Sequence, residues 1–170
     1  ILQRGLGMKD KFKVETTSFL LHIMAMVFML CDHLWGTSFV SHDVFTCIGR
    51  LAFPIYAFML VEGYFHTGNL KKYVIRLLLA AVISEIPFNL MMGGRVFFPI
   101  HQNVLWSFLI SIGLIHWNEK VKARQLWKRI LVGIATICIA YIGGILTFVD
   151  YNHAGIFMVL IFYLDRKSTR

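Results

Sequence analysis

Long apolar stretches, each bounded by charged or turn-forming residues, dominate the hydropathy pattern of this chain. They cover residues 17–35, 44–65, 73–92, 104–117, 130–149 and 152–164. None alternates with the period of two that marks the strands of a transmembrane barrel. In lipid, only helices and closed barrels satisfy every backbone N–H and C=O. The runs therefore predict an all-α, polytopic transmembrane helix bundle of about six spans. The fourth is short, and the sixth is too short to cross alone, because a ~30 Å hydrocarbon core needs about 20 residues. The first is longer than a signal-peptide core and lacks a small-residue cleavage site, so it is read as a span. No repeat, low-complexity linker or second domain is evident, and the chain is expected to form one integral membrane domain. Residues 119–129, where Leu126 and Trp127 lie among basic residues, fit either a short interfacial helix or a solvated loop.

Composition agrees with the pattern. The 170 residues are 58% hydrophobic and 15% charged, and mean hydropathy is +0.68. Globular chains carry roughly 45–50% apolar and about 25% charged residues, so this chain lacks the polar skin of a soluble domain. Disorder, collagen and disulfide-rich scaffolds are excluded by the same numbers. A formal net charge of +8 raises nucleic acid as a partner. No groove-binding or RNA-binding motif accompanies the charge, however, and no nucleic-acid partner is expected.

The basic residues instead report topology. Four lie in the leader, two in residues 67–72, five in residues 118–129 and three after Asp165, whereas the alternate loops carry Arg95 alone. By the positive-inside rule both termini are expected to be cytoplasmic. Cys31, Cys47 and Cys138 show no metal-binding spacing. Cys31 and Cys47 fall at similar depth, which leaves a disulfide open, but free buried thiols are the expectation.

A charged side chain at the centre of a spanning helix costs about 2.5–3.5 kcal/mol, so each one calls for a partner or a task. Asp32, His33, Arg50, Glu62, Arg76 and Glu85 all fall within the first three runs. Asp32 and His33 would sit just inside the outer face. Arg50 would lie roughly 9 Å below it at 1.5 Å per residue, with Glu85 at similar depth. Arg50 and Glu85 are thus candidates for a buried ion pair, as a structural tie or as part of a site. His101, Gln102, Asn103, Asp150 and His153 in the outer loops complete an outer polar cluster. An inner layer contains Glu62 and His66, four apart on one helical face, with Lys71, Lys72 and Arg76. These inner residues fit either a functional layer or interfacial side chains reaching for headgroups. His22 and His116 read as packing or interfacial residues. His33 is the candidate proton carrier, with Asp32 or another carboxylate to fix its tautomer. Pro54 and Pro87 each interrupt a run, and a break near Glu85 is expected from Pro87. No local spacing supports a metal site, and none is expected.

The residues also carry a resemblance. Met29-Leu30-Cys31-Asp32-His33, then Ile48-Gly49-Arg50-Leu51-Ala52-Phe53-Pro54-Ile55-Tyr56-Ala57-Phe58 and Leu60-Val61-Glu62-Gly63-Tyr64-Phe65-His66-Thr67, resemble the TraX family of bacterial integral membrane proteins. The match resumes at Lys72-Tyr73, Arg76-Leu77, Ser84-Glu85-Ile86-Pro87-Phe88-Asn89 and His101-Gln102-Asn103-Val104. Asn89 departs from the pattern, which has Asp after the E-I-P-F string. The family's namesake N-acetylates the amino terminus of conjugative pilin. The resemblance therefore implies a membrane-embedded acyltransferase in the bacterial inner membrane, drawing on acetyl-CoA or another acyl-CoA. Its acceptor would be an amine or hydroxyl of a peptide, a pilin or a small molecule. His33, Asp32, Arg50, Glu85 and His101 are then the catalytic candidates. Glu62, His66, Lys71, Lys72 and Arg76 would hold CoA, and Asn103, Asp150 and His153 the acceptor. The rivals are a small proton- or solute-coupled transporter using the same ionisable residues, and a non-catalytic membrane scaffold.

Overall fold

A computed structural model describes the backbone of residues 8–37, 39, 42–121 and 125–169, with side chains from residue 17 onward. Among the described residues there are seven helices and no strand: α1 (Met8–Gly36), α2 (Val44–Gly49), α3 (Ala52–His66), α4 (Leu70–Gly93), α5 (Val104–Lys120), α6 (Leu126–Leu146) and α7 (Asn152–Ser168). The protein is all-α, as the pattern predicts. Four segments are long and apolar enough to cross a bilayer: Thr17–Gly36, Val44–His66, Leu70–Gly93 and Leu126–Leu146. The chain is a multi-pass membrane protein. The remaining helices, α5 and α7, have 17 residues each, or about 25 Å at 1.5 Å per residue. Leu126–Arg129 form the first turn of α6 rather than a separate interfacial helix or a loop. Residues 122–124 of that basic segment, and Arg4 of the leader, lie outside the described residues.

The two prolines act differently. Pro54 has no N–H for the Arg50 carbonyl, and its ring collides with that carbonyl. The helix accordingly stops at Gly49, Arg50 and Leu51 form a turn, and Phe53 N–H meets the Arg50 carbonyl at 3.3 Å instead. Pro87 does not break α4, contrary to expectation. One lost donor leaves the rest of the hydrogen-bond ladder in place, and side chains on both sides of Pro87 tie the helix to later residues. Glu85 accepts from Trp106, and Asn89 Nδ2 donates to the Val96 carbonyl at 3.2 Å. The helix ends instead at Gly94, whose left-handed φ of 61° lets its N–H reach Leu90 O.

The chain divides into two compact units, Ile1–Met59 and Leu60–Arg170, with the boundary inside α3. In the first unit α2 lies against α1. A Cβ on Gly49 would fall 2.5 Å from Asp32 Cβ and 2.6 Å from its backbone nitrogen, so glycine alone permits that approach. In the second unit α5 is the central helix, packed against α4, α6 and α7. Its buried residues are Ser107, Phe108, Ser111, Ile112, Leu114 and Ile115, and those of α7 are Gly155, Ile156, Val159, Leu160 and Tyr163. Polar residues enter this core by satisfying themselves locally. The Ser111 hydroxyl donates to Ser107 O at 2.7 Å and the Thr136 hydroxyl to Val132 O at 2.7 Å. Asn118 Nδ2 donates to Thr136 Oγ1 at 2.8 Å, tying α5 to α6.

The outward faces are aliphatic, with Ile130, Ile134, Ile137, Ile142 and Ile145 of α6 exposed, as lipid-facing side chains are. The three cysteines are free, but Cys47 and Cys138 are exposed on the chain rather than buried. Both stand on the outer faces of their helices, where lipid replaces protein as the apolar surround.

At Gly144 of α6 a Cβ would lie 2.5 Å from both the Cα and the N of His153, whereas Gly143 has open space around it. Gly144→Ala is expected to destabilise the protein by about 1–3 kcal/mol, the usual cost of overpacking. Gly143→Ala should be neutral or slightly stabilising. Thermal unfolding of both variants in detergent checks the contrast, and equal behaviour would contradict this account of the α6–α7 packing.

Candidate functional site

Of the residues expected in the outer polar cluster, the second unit holds His101, Gln102, Asn103, Asp150 and His153 together with the carboxylate of Glu85. Its Oε2 accepts from Asn103 Nδ2, from Trp106 Nε1 at 3.0 Å and from Asn103 N at 3.4 Å. Asn103 is buried and also caps α5, with Oδ1 accepting from Leu105 N at 3.0 Å, while its Nδ2 donates to Ala81 O at 2.9 Å. Every polar atom of its side chain is therefore committed to the fold. Asn103 thereby holds Glu85 in place. The other carboxylate oxygen, Glu85 Oε1, is buried and has no hydrogen-bond partner among the described residues. Asn89 Oδ1, His101 Nε2, His153 Nδ1 and, in the opposite layer, Arg166 Nε share that condition, although His101 and Arg166 each face a carboxylate. Burying a polar atom unpaired costs about 1–3 kcal/mol, which makes these atoms candidate contact points for a bound group.

Two histidines in this cluster are held by aromatic rings. His101 stacks on Phe88 with centroids 5.5 Å apart, and its Nε2 faces Asp150 Oδ1 at 3.6 Å. His153 lies between Tyr141 and Phe157, at 4.9 and 5.8 Å. Asp150 is delivered by the α6–α7 turn, where Phe148, Tyr151 and Asn152 all have positive φ. Left-handed backbone costs a non-glycine residue roughly 1–2 kcal/mol, and such strain gathers at functional sites. A parallel bridge between Gln102 and Val149 pairs this turn with the segment preceding α5.

A second polar layer lies at the other end of the same helices. From His153 to Arg166 along α7 is about 20 Å at 1.5 Å per residue. Glu62 is ion-paired with Arg166 of α7, and His66 Nδ1 lies 3.3 Å from the same carboxylate. Glu119 of α5 accepts from the Tyr163 hydroxyl at 2.7 Å and from Lys167 Nζ at 2.9 Å. The hydrogen bonds to Tyr163 and Glu119 hold the Lys167 ammonium above its ordinary pKa. Tyr64 and His116 are joined at 3.3 Å. Lys71, Lys72 and Arg76 are exposed on α4.

The first unit holds the other candidates. Asp32 Oδ1 accepts from the Thr46 hydroxyl at 2.9 Å, which ties α1 to α2. His33 is half-buried in the last turn of α1, and its ring makes no hydrogen bond among the described residues. Arg50 is exposed in the turn between α2 and α3. Glu85 thus draws its partners from α5. No group of three or more His, Cys, Asp or Glu is placed to hold a metal among the described residues.

The model of one protein family, described as TraX protein, matches residues 18–170. This chain belongs to the TraX family. A relative from Dichelobacter nodosus, a probable fimbrial assembly protein FimC of serogroup H1, is 36% identical over a match covering 58% of this chain and 45% of that relative. The chain thus spans less than half of the relative's length. No solved structure matches it.

Several residues of this TraX chain were not legible as site residues. The sequence alone assigns no role to Trp106 or Ser107. Their signal is position: both lie in the first turn of α5, on the helix that Asn103 caps. Arg166 and Lys167 looked like topological charge. Their spacing from Tyr163, three and four residues on, places all three on one helical face.

The clamp gives a direct prediction. Asn103→Ala removes a helix cap and a charge-assisted hydrogen bond, and should cost about 2–4 kcal/mol. Asn103→Asp keeps the cap acceptor but sets two carboxylates together, and should be no better. Denaturation of both variants in detergent would contradict the clamp if either retained wild-type stability.

Proposed function

We propose that this TraX protein is a membrane-embedded acyltransferase that moves an acetyl or related acyl group from CoA to an amine or hydroxyl acceptor. A peptide or pilin amino terminus is the favoured acceptor, in keeping with the fimbrial assembly role in the name of the Dichelobacter relative. The observation that carries the proposal is the His101–Asp150 pair, with His101 stacked on Phe88, one helical turn from Glu85 on α4.

His101 is the general base in this account. Its Nε2 edge is buried toward Asp150 while the side chain is 41% exposed, so Nδ1 is the ring nitrogen open to an acceptor. A separation of 3.6 Å is longer than a hydrogen bond, and catalytic contacts commonly tighten only once substrate is bound. Asp150 would hold the tautomer with hydrogen on Nε2 and stabilise the imidazolium as it forms. Glu85 Oε1 and Asn89 Oδ1 are acceptors, suited to orienting an N–H or O–H group for attack. The acceptor atom then forms a bond to the thioester carbonyl carbon, the carbon–sulfur bond breaks, and the acceptor proton passes to His101. CoA leaves as the thiolate and takes up a proton.

The charge distribution supports an orientation with both termini on the cytoplasmic side of the bacterial inner membrane. The Glu85 layer then faces outward, and Lys71, Lys72, Arg76 and the Glu62–His66–Arg166 group face the cytoplasm. Exposed cations on that side suit the phosphates of CoA. His33, Asp32 and Arg50 have no place in the reacting centre in this account. Asp32 serves the α1–α2 contact through Thr46.

The test uses purified protein in liposomes, labelled acetyl-CoA and a peptide with a free amino terminus. His101→Ala is expected to lower transfer by about 10²–10⁴-fold, the range for loss of a general base, while insertion and folding persist. His33→Ala should leave most of the activity. Unchanged transfer in His101→Ala, or its abolition in His33→Ala alone, would sink this assignment of the base.

A further inference from the structure

Ser and Thr hydroxyls on helices commonly bond to the carbonyl four residues back on the same helix. This chain follows that habit repeatedly: Ser84 bonds to Ala80 O, Ser111 to Ser107 O, Thr136 to Val132 O and Thr147 to Gly143 O. Ser107 departs from it. Fully buried on α5, it donates its hydroxyl across to the backbone carbonyl of Asp150 at 3.1 Å.

The place it reaches is the most strained backbone among the described residues. Phe148, Tyr151 and Asn152 have φ of 49°, 61° and 47°, so three of five consecutive residues adopt a conformation that side chains oppose. Such a turn persists only when its surroundings over-determine it. Here Gln102 N–H donates to Phe148 O and Asp150 N–H donates to Gln102 O, both at 2.9 Å. Tyr151 N–H donates to Asp150 Oδ1 at 3.0 Å, fixing the carboxylate relative to the turn. That same oxygen faces His101 Nε2. The residue that contributes to the strand-like pairing is also the neighbour of His101 in sequence, so turn and histidine share one frame.

We propose that Ser107 is a positioning residue: its hydroxyl holds the strained α6–α7 turn so that the Asp150 carboxylate stays directed at His101. The inference rests on the acyl-transfer reading of this site. Ser107 does not touch a reacting group, and its influence passes through the Asp150 backbone.

The test combines kinetics with hydrogen–deuterium exchange on the full chain in nanodiscs. Ser107→Ala is expected to lower kcat about tenfold, the equivalent of one hydrogen bond, with KM little changed. Exchange in the peptide covering 148–153 should quicken. Ser107→Cys, with its weaker donor, should fall between the two. In an Asp150→Asn background Ser107→Ala should cost nothing further, because the group it positions is already disabled. Quicker exchange with kcat unmoved would reduce Ser107 to a structural brace and overturn the proposal. So would unaltered exchange, or an equal loss of kcat in both backgrounds. If the wild-type protein transfers no acyl group, the functional reading falls instead, and exchange alone still decides whether Ser107 holds the turn.

Discussion

A carboxylate buried among helices must be given donors, and the way Glu85 receives them organises the larger unit of this protein. All three donors to its Oε2 come from the first turn of α5 and its cap, through Asn103 and Trp106. One oxygen is thereby fixed to the fold, and the other is left buried and unpartnered among the described residues. The fixed side ties α4 to α5.

The same constraint explains why the polar residues form layers. In lipid no water is present to relieve a stray N–H or C=O, so ionisable residues on neighbouring helices must meet at matching depth. In the second unit they do so at both ends of α5 and α7. At one end Glu85, His101, Asp150 and His153 collect, and at the other Glu62, Glu119, Arg166 and Lys167 pair off. Between them on α5 and α7 lie Ile112, Ile156, Val159 and Leu160, all buried. In the second layer Glu62 pairs with Arg166 and Glu119 with Lys167, which fastens the helices there. The first layer has the strained turn, and it is there that acyl transfer is proposed.

Much of this is legible in the sequence. Run lengths and the absence of alternation predict the helices, because a bilayer fixes both how long a span must be and which backbone form it takes. Depth arithmetic grouped Glu85 with His101, Asn103, Asp150 and His153, since rise per residue is nearly constant in a helix. What it could not supply was azimuth. Asp32, for instance, accepts from Thr46 in the close α1–α2 contact that Gly49 permits. Arg166 was indistinguishable from the basic residues that set topology until α7 brought it to Glu62. The left-handed turn around Asp150 carries no glycine, so the usual signal for such backbone was missing from residues 148–152.

The central claim is that acyl chemistry takes place at the Glu85–His101–Asp150 layer. It is tested most directly by a CoA thioester with a photoreactive group on the acyl carbon, crosslinked to the full chain in nanodiscs and mapped by mass spectrometry. The account predicts adducts within residues 85–107 and 148–157, suppressed by unlabelled acetyl-CoA. Adducts confined to residues 32–50, or no competition by acetyl-CoA at any position, would contradict it.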